Sequence, residues 1–147
     1  MTVPLSPVSM DVDVPARTLT LSFPFDTAPE RVWSALTDLA SVGAWLAPAV
    51  AEGTDRYVLT FDHEGHVHDK VFEVAECVPG RTLTGVLHDP GHADSVLSAR
   101  IGKGTFTLTH TDVSEALVEG YSAGWPYYLG RLAGLVAEDD GATGSAS

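Results

Sequence analysis

Between Arg56 and Thr111 the chain is broken at Glu64-Gly65, Pro79-Gly80, Asp89-Pro90-Gly91 and Gly102-Lys103-Gly104. These four turn signals cut the stretch into five pieces of strand length, near Arg56–Phe61, His66–Cys77, Arg81–His88, Ser95–Ile101 and Thr105–Thr111. Strands joined by connections this short are most simply neighbours in an antiparallel meander. Whatever lies on either side must therefore pack on an antiparallel sheet.

Upstream, Leu19, Leu21 and Phe23 alternate with Thr18, Thr20 and Ser22, which predicts a further strand with one dry face, ended by Pro24. Thr27-Ala28-Pro29-Glu30 has the Thr-x-x-Glu spacing of a capping box, so a helix is expected from Ala28. Val32, Ala35, Leu36 and Leu39 carry its period, and Asp38 offers a cap for a second short helix ending near Trp45. Downstream, from Ser114 to Ala137, Leu117, Tyr121, Gly124, Tyr128, Leu132 and Leu135 form one helical stripe, widened by Trp125, Leu129 and Val136. Pro126 lies inside this helix and is expected to bend or restart it. The elements predict an α+β domain whose curved sheet of six or seven strands encloses an apolar cavity against the long C-terminal helix.

The chain has 147 residues, of which 44% are hydrophobic, enough for one domain with its own core. Residues 16–137 hold the periodic segments. The proline-rich stretch 1–15 and the Gly/Ala/Ser-rich stretch 138–147 have too little apolar surface to join a core and are expected to be a loose leader and tail. With 8 Lys plus Arg against 20 Asp plus Glu, the net charge of −12 repels nucleic-acid phosphates and anionic membrane surfaces. One cysteine, Cys77, allows no internal disulfide, and neither a signal peptide nor a membrane-length apolar run is evident, so a cytoplasmic location is expected.

Ala28-Pro29-Glu30-Arg31-Val32-Trp33-Ser34-Ala35-Leu36-Thr37-Asp38, followed by Ala44-Trp45-Leu46, resembles the opening of the START-like, or SRPBCC, superfamily. Val78-Pro79-Gly80-Arg81-Thr82-Leu83 and Ala123-Gly124-Trp125-Pro126-Tyr127-Tyr128-Leu129-Gly130-Arg131-Leu132 are similar to motifs of its branch of heat-shock-protein-ninety ATPase activator homologues. The resemblance covers about residues 17–137. It implies a helix-grip fold, with two short helices after the first strand and Trp45 at the mouth of the cavity. It also implies four functional classes on one fold: lipid carriers, aromatase/cyclases, hormone receptors and co-chaperone domains.

The residues themselves carry little catalytic signal. No serine lies in a Gly-x-Ser-x-Gly turn, and Cys77 has no motif that pairs it with a base. His63, His66 and His68 fall within six residues, with His66 and His68 on one strand face, but a metal would need a third ligand such as His110 or Asp112 and the spacing matches no closed zinc motif. No catalytic residue, metal or cofactor is therefore assigned. The aromatic and imidazole side chains expected to meet a ligand are Trp45, Phe61, His66, His68, Phe72, His110, Tyr121, Trp125 and Tyr128. The leading expectation is a non-catalytic protein that holds a small apolar or aromatic molecule. The rival is a cyclase-like enzyme using His66, His68, His110, Arg100 and Tyr128. A further alternative is an interaction module that binds a chaperone or another protein through its acidic surface, and a second copy of the chain is also a candidate partner.

Overall fold

The computed structural model describes residues 8–63 and 65–146. Among these residues, eight strands form one antiparallel sheet: β1 (Ser9–Asp13), β2 (Thr18–Pro24), β3 (Ala49–Ala51), β4 (Arg56–His63), β5 (His66–Val78), β6 (Thr82–His88), β7 (Ser95–Ile101) and β8 (Thr105–Thr111). Their order across the sheet is β1-β2-β8-β7-β6-β5-β4-β3. Helices α1 (Pro29–Thr37) and α2 (Leu39–Trp45) follow β2, and a 3₁₀ turn at Glu115–Leu117 leads into α3 (Val118–Ala146). This is the expected helix-grip architecture. The meander stands as the turn signals placed it, and at the β5–β6 turn Gly80 has the positive φ (+78°) that a side chain would resist. In the β4–β5 turn, Glu64 lies outside the described residues.

Four expectations are corrected. The sheet has eight strands, not six or seven, because β1 and the three-residue β3 add to it. β1 lies inside the stretch expected to be a loose leader, where its period is masked by flanking prolines. It pairs antiparallel with β2 from Ser9↔Ser22 to Asp13↔Thr18, and Val12 packs on the core. Residues 1–7 of that stretch lie outside the described residues. The capping box is not formed, because the helix begins one residue later than expected. Ala28 is the N-cap and Pro29 the first helical residue, so Thr27 and Glu30 are out of phase with the N-cap and N3 positions, and the Thr27 hydroxyl is buried without a partner. Finally, α3 is continuous from Val118 through Pro126 to Ala146, so the helix neither restarts at the proline nor ends before the expected tail. Trp125 and Leu129, on either side of Pro126, are both buried against the sheet, and this packing outweighs the lost backbone bond. Residue 147 lies outside the described residues. The second cap behaves as expected: the Asp38 carboxylate accepts from the Ser41 amide at 3.1 Å and starts α2.

The core lies between α3 and the concave face of the sheet. Leu19, Leu21 and Phe23 of β2 and Phe106 and Leu108 of β8 are at most 3% exposed, and they meet Trp125, Leu129, Leu132 and Val136 of α3. Each such side chain contributes about 1.5–3 kcal/mol on burial. A second, smaller cluster of Val42, Ala47 and Leu59 joins α2 to β4. The two clusters leave a space between them.

Candidate functional site

The space is a cavity of about 370 Å³. Its floor is the concave face of the sheet, where register puts Tyr57 opposite Phe72, Leu83 opposite Ala99 and Ala99 opposite Leu108. Its roof is Leu36 and Thr37 of α1 with Leu39, Val42, Trp45 and Leu46 of α2 and its end, and Trp125 of α3 closes one wall. Two local features of β5 and β6 shape the floor. A bulge between Val74 and Glu76 changes the strand's phase, so Val74 and Cys77 both line the cavity although they are three residues apart. At Gly85 a Cβ would come within 2.5 Å of the Glu73 carbonyl oxygen and 2.6 Å of the Phe72 ring, so only glycine lets that ring lie across β6.

The roof is tied down at two points. The Trp45 indole N–H donates to the Ala35 carbonyl at 2.8 Å, which joins α2 to α1 and leaves the ring face to the cavity. Arg131 of α3 donates to the Ala44 carbonyl at 2.6 Å, a cation placed at the negative end of α2. Thr37, Thr54, Asp55 and Cys77 are the exposed members of the lining and mark where the cavity meets solvent.

A second arrangement sits beside the cavity, behind Trp125. The Lys70 ammonium lies 2.9 Å from Asp89 Oδ1 and donates to the Tyr121 hydroxyl at 2.8 Å, and that hydroxyl donates to Asp89 Oδ2 at 2.7 Å. Lys70 also stands 4.5 Å from the Tyr121 ring centroid and 5.0 Å from that of Phe61. Burial, and then the hydrogen bond to Asp89, push the Tyr121 phenol well above its ordinary range, so it remains a donor. The Tyr121 ring in turn meets His110 edge-on at 4.6 Å.

His110 is fully buried between Trp125, which donates to its Nδ1 at 3.0 Å, and Ser95, whose Oγ is 2.7 Å from its Nε2. Because the indole can only donate, Nδ1 must accept, so the ring proton is on Nε2 and Nε2–H donates to Ser95. Loss of solvation lowers the His110 pKa to about 4, with Lys70 adding to the effect and Asp89 opposing it. A histidine held neutral in the fold but free to take a proton near pH 6.5 when unfolded makes stability fall as pH drops through that interval. Unfolding at pH 5 is therefore expected to need about 2 kcal/mol less than at pH 7 from this group. His88 acts with the opposite sign. Its hydrogen bonds to Asp94 and then Glu73 outweigh burial and raise its pKa, so its contribution is present at low pH and lost as pH rises, but it is one-third exposed and weaker. Urea unfolding across pH 5–7 measures the balance, and His110→Gln should flatten the slope.

Of the nine residues expected to meet a ligand, Trp45, Phe72 and Trp125 line the cavity. His110 and Tyr121 are brought together, but in the buried polar arrangement and outside the cavity lining. Phe61 and Tyr128 contact each other edge-on at 6.1 Å, also outside it. His66 and His68 are exposed on the outer part of β5, where His68 stacks on Phe61 at 6.4 Å, because β4 and β5 extend beyond the cover of α3 there. Arg100 is exposed as well. No side chain is described for His63, and among the described residues no three His, Cys, Asp or Glu side chains gather as a metal site would require. Sequence reasoning missed Lys70, Asp89 and Asp55. Lys70 is in phase with Phe72, and Asp89 with Leu83 and Leu87, so period-2 alternation pointed both inward. Asp55, in a loop, left no such signal.

The family described as Activator of Hsp90 ATPase homolog 1-like protein matches residues 26–137, the span that contains both short helices, the meander and the first two-thirds of α3. The chain belongs to this family. Membership places it in the START-like superfamily, and the same fold recurs in solved structures. Protein CV1439 from Chromobacterium violaceum superposes with a TM-score of 0.73 at 23% identity, over 82% of this chain and 96% of that one. CalU16 from Micromonospora echinospora gives 0.68 at 19% identity, over 90% and 85% of the two chains. DynU16, a protein of the dynemicin biosynthetic locus, gives 0.68 at 21% identity, over 80% of this chain and 46% of its own length. None of the curated proteins matches this sequence significantly. The chain shares the fold of these proteins, and no helix among its described residues is long and apolar enough to cross a membrane.

Proposed function

We propose that this protein binds a small, mostly apolar, ring-containing molecule in the cavity between α2 and the sheet. The observation that carries the proposal is the cavity itself: about 370 Å³ walled by aliphatic side chains and by the rings of Trp45, Tyr57, Phe72 and Trp125. That volume is more than twice the roughly 150 Å³ that accommodates benzene and lies within the range of small-molecule pockets, so two or three fused rings are the fitting size. Binding by apolar burial needs no cofactor. Native mass spectrometry of the protein as purified is expected to show an adduct that is lost on denaturation, and an apolar fluorescent probe is expected to change Trp45 and Trp125 emission on binding. Leu97→Trp, which fills the cavity from its floor, should weaken probe binding at least about tenfold, the effect of about 1.4 kcal/mol. A full-strength interaction in that variant would overturn the proposal.

A cyclase-like activity is the second reading. It is favoured by the convergence of His110 and Tyr121 with Lys70 and Asp89. Both nitrogens of His110 are already engaged, so this reading requires Trp125 to swing aside and admit substrate to the polar arrangement. Turnover of a polyketide-like chain, lost in Tyr121→Phe, is its test. Stimulation of a chaperone ATPase, which the family description suggests, is tested by the chaperone's hydrolysis rate with and without the protein.

A further inference from the structure

The rim of the cavity carries a carboxylate, and what is inferred from it rests on the binding reading above. Among the described residues, Asp55 is the single charged residue in the lining. It precedes β4, its backbone carbonyl accepts from the Val74 amide at 2.7 Å, and its carboxylate has neither a hydrogen bond nor an ion pair among the described residues. The neighbouring Arg56 is committed elsewhere, to Glu52 at 2.9 Å and Glu73 at 3.8 Å. Among the described residues no Lys, Arg or His lines the cavity. The lysine on the same sheet face, Lys70, lies outside the lining and is neutralised by Asp89. An acid entering the cavity would thus find an apolar interior, one like charge at the mouth and a protein of net charge −12 around it.

A cation would find the reverse. Four aromatic residues, Trp45, Tyr57, Phe72 and Trp125, are in the lining, and the face of an aromatic ring attracts an ammonium group as well as apolar carbon. Thr37, beside the mouth, donates its hydroxyl proton to the Trp33 carbonyl, so its oxygen is left as an acceptor for an N–H donor. We infer that the ligand is an amine: a planar apolar body seated against Trp45, Phe72 and Trp125, with a protonated nitrogen at the mouth facing the Asp55 carboxylate.

Three probes of matched size separate this inference from the binding reading on which it rests: 2-naphthylmethylamine, 2-naphthalenemethanol and 2-naphthoate, titrated by calorimetry and tryptophan emission. The amine is expected to bind about fivefold tighter than the alcohol, the effect of one solvent-accessible ion pair, and tighter still relative to the carboxylate. Raising the salt concentration to 1 M should bring the amine and alcohol together, because an exposed pair is screened. Asp55→Asn should erase the preference of amine over alcohol, and Asp55→Lys should turn it toward the carboxylate. Equal binding of all three probes, or a preference for the carboxylate in the unmodified protein, would overturn the amine assignment and leave the cavity reading intact. Failure of all three to bind would overturn both.

Discussion

Replacing Trp125 with alanine is expected to destabilise the fold by about 3–5 kcal/mol. The indole is only 4% exposed, stacks on Tyr121 at 6.1 Å, and meets Tyr128 and His110 edge-on. Its removal opens the cavity wall and leaves His110 Nδ1 buried without a donor, so two costs coincide: lost packing and an unsatisfied polar atom. Trp125→Phe separates them, since phenylalanine keeps most of the ring contact but not the N–H, and about 1–2 kcal/mol of the loss should remain. Urea unfolding followed by circular dichroism measures both variants. A cost below about 1 kcal/mol for the alanine variant would mean that the indole does not hold α3 to the sheet.

The second large effect concerns Asp89. Asp89→Ala is expected to cost about 3–5 kcal/mol, because it strands the Lys70 ammonium, whose side chain is only 15% exposed, and leaves the Tyr121 hydroxyl without its acceptor. Replacing Lys70 and Asp89 together, as Lys70→Met with Asp89→Leu, should cost less than the alanine change alone. The pair attract each other only after both have been taken out of water, so removing both also removes that desolvation cost. A double variant at least as unstable as Asp89→Ala would show that the pair contributes net stability beyond compensating its own burial. The three contacts among Lys70, Asp89 and Tyr121 bind β5, the end of β6 and the first turn of α3 to one another. Their loss should therefore be accompanied by faster amide exchange in the first turns of α3.

The buried polar arrangement and the cavity divide the concave face between them, and Trp125 belongs to both. One face of its ring borders the space offered to a ligand, while its N–H fixes the tautomer of His110. A ligand that displaced the indole would have to break that bond as well, which keeps the wall in place as the cavity fills.

Local chemistry determined much of the fold from sequence alone. Glycine and proline at the turns divided the meander correctly, since glycine takes the positive φ of Gly65, Gly80, Gly91 and Gly104 without the steric cost of a side chain, and the alternation of Leu19, Leu21 and Phe23 fixed which face of β2 would be dry. The helical stripe through Trp125, Leu129 and Leu132 identified the surface that α3 turns to the sheet. The family motifs named the architecture, and Trp45, Phe72 and Trp125 were legible as cavity residues because large rings on an inward face must border either core or space. Tertiary structure decided what depended on partners distant in the chain. β1 becomes a strand only because the β2 edge is available to pair with it, and α3 runs through Pro126 because burial of its neighbours outweighs the missing hydrogen bond. The separation of His110 and Tyr121 from the cavity, the burial of Lys70 with Asp89, and the isolation of Asp55 at the mouth could not be seen in any local pattern. They follow from which strands lie under α3 and which extend beyond it, and a side chain's charge partner is set by that geometry rather than by its neighbours in sequence.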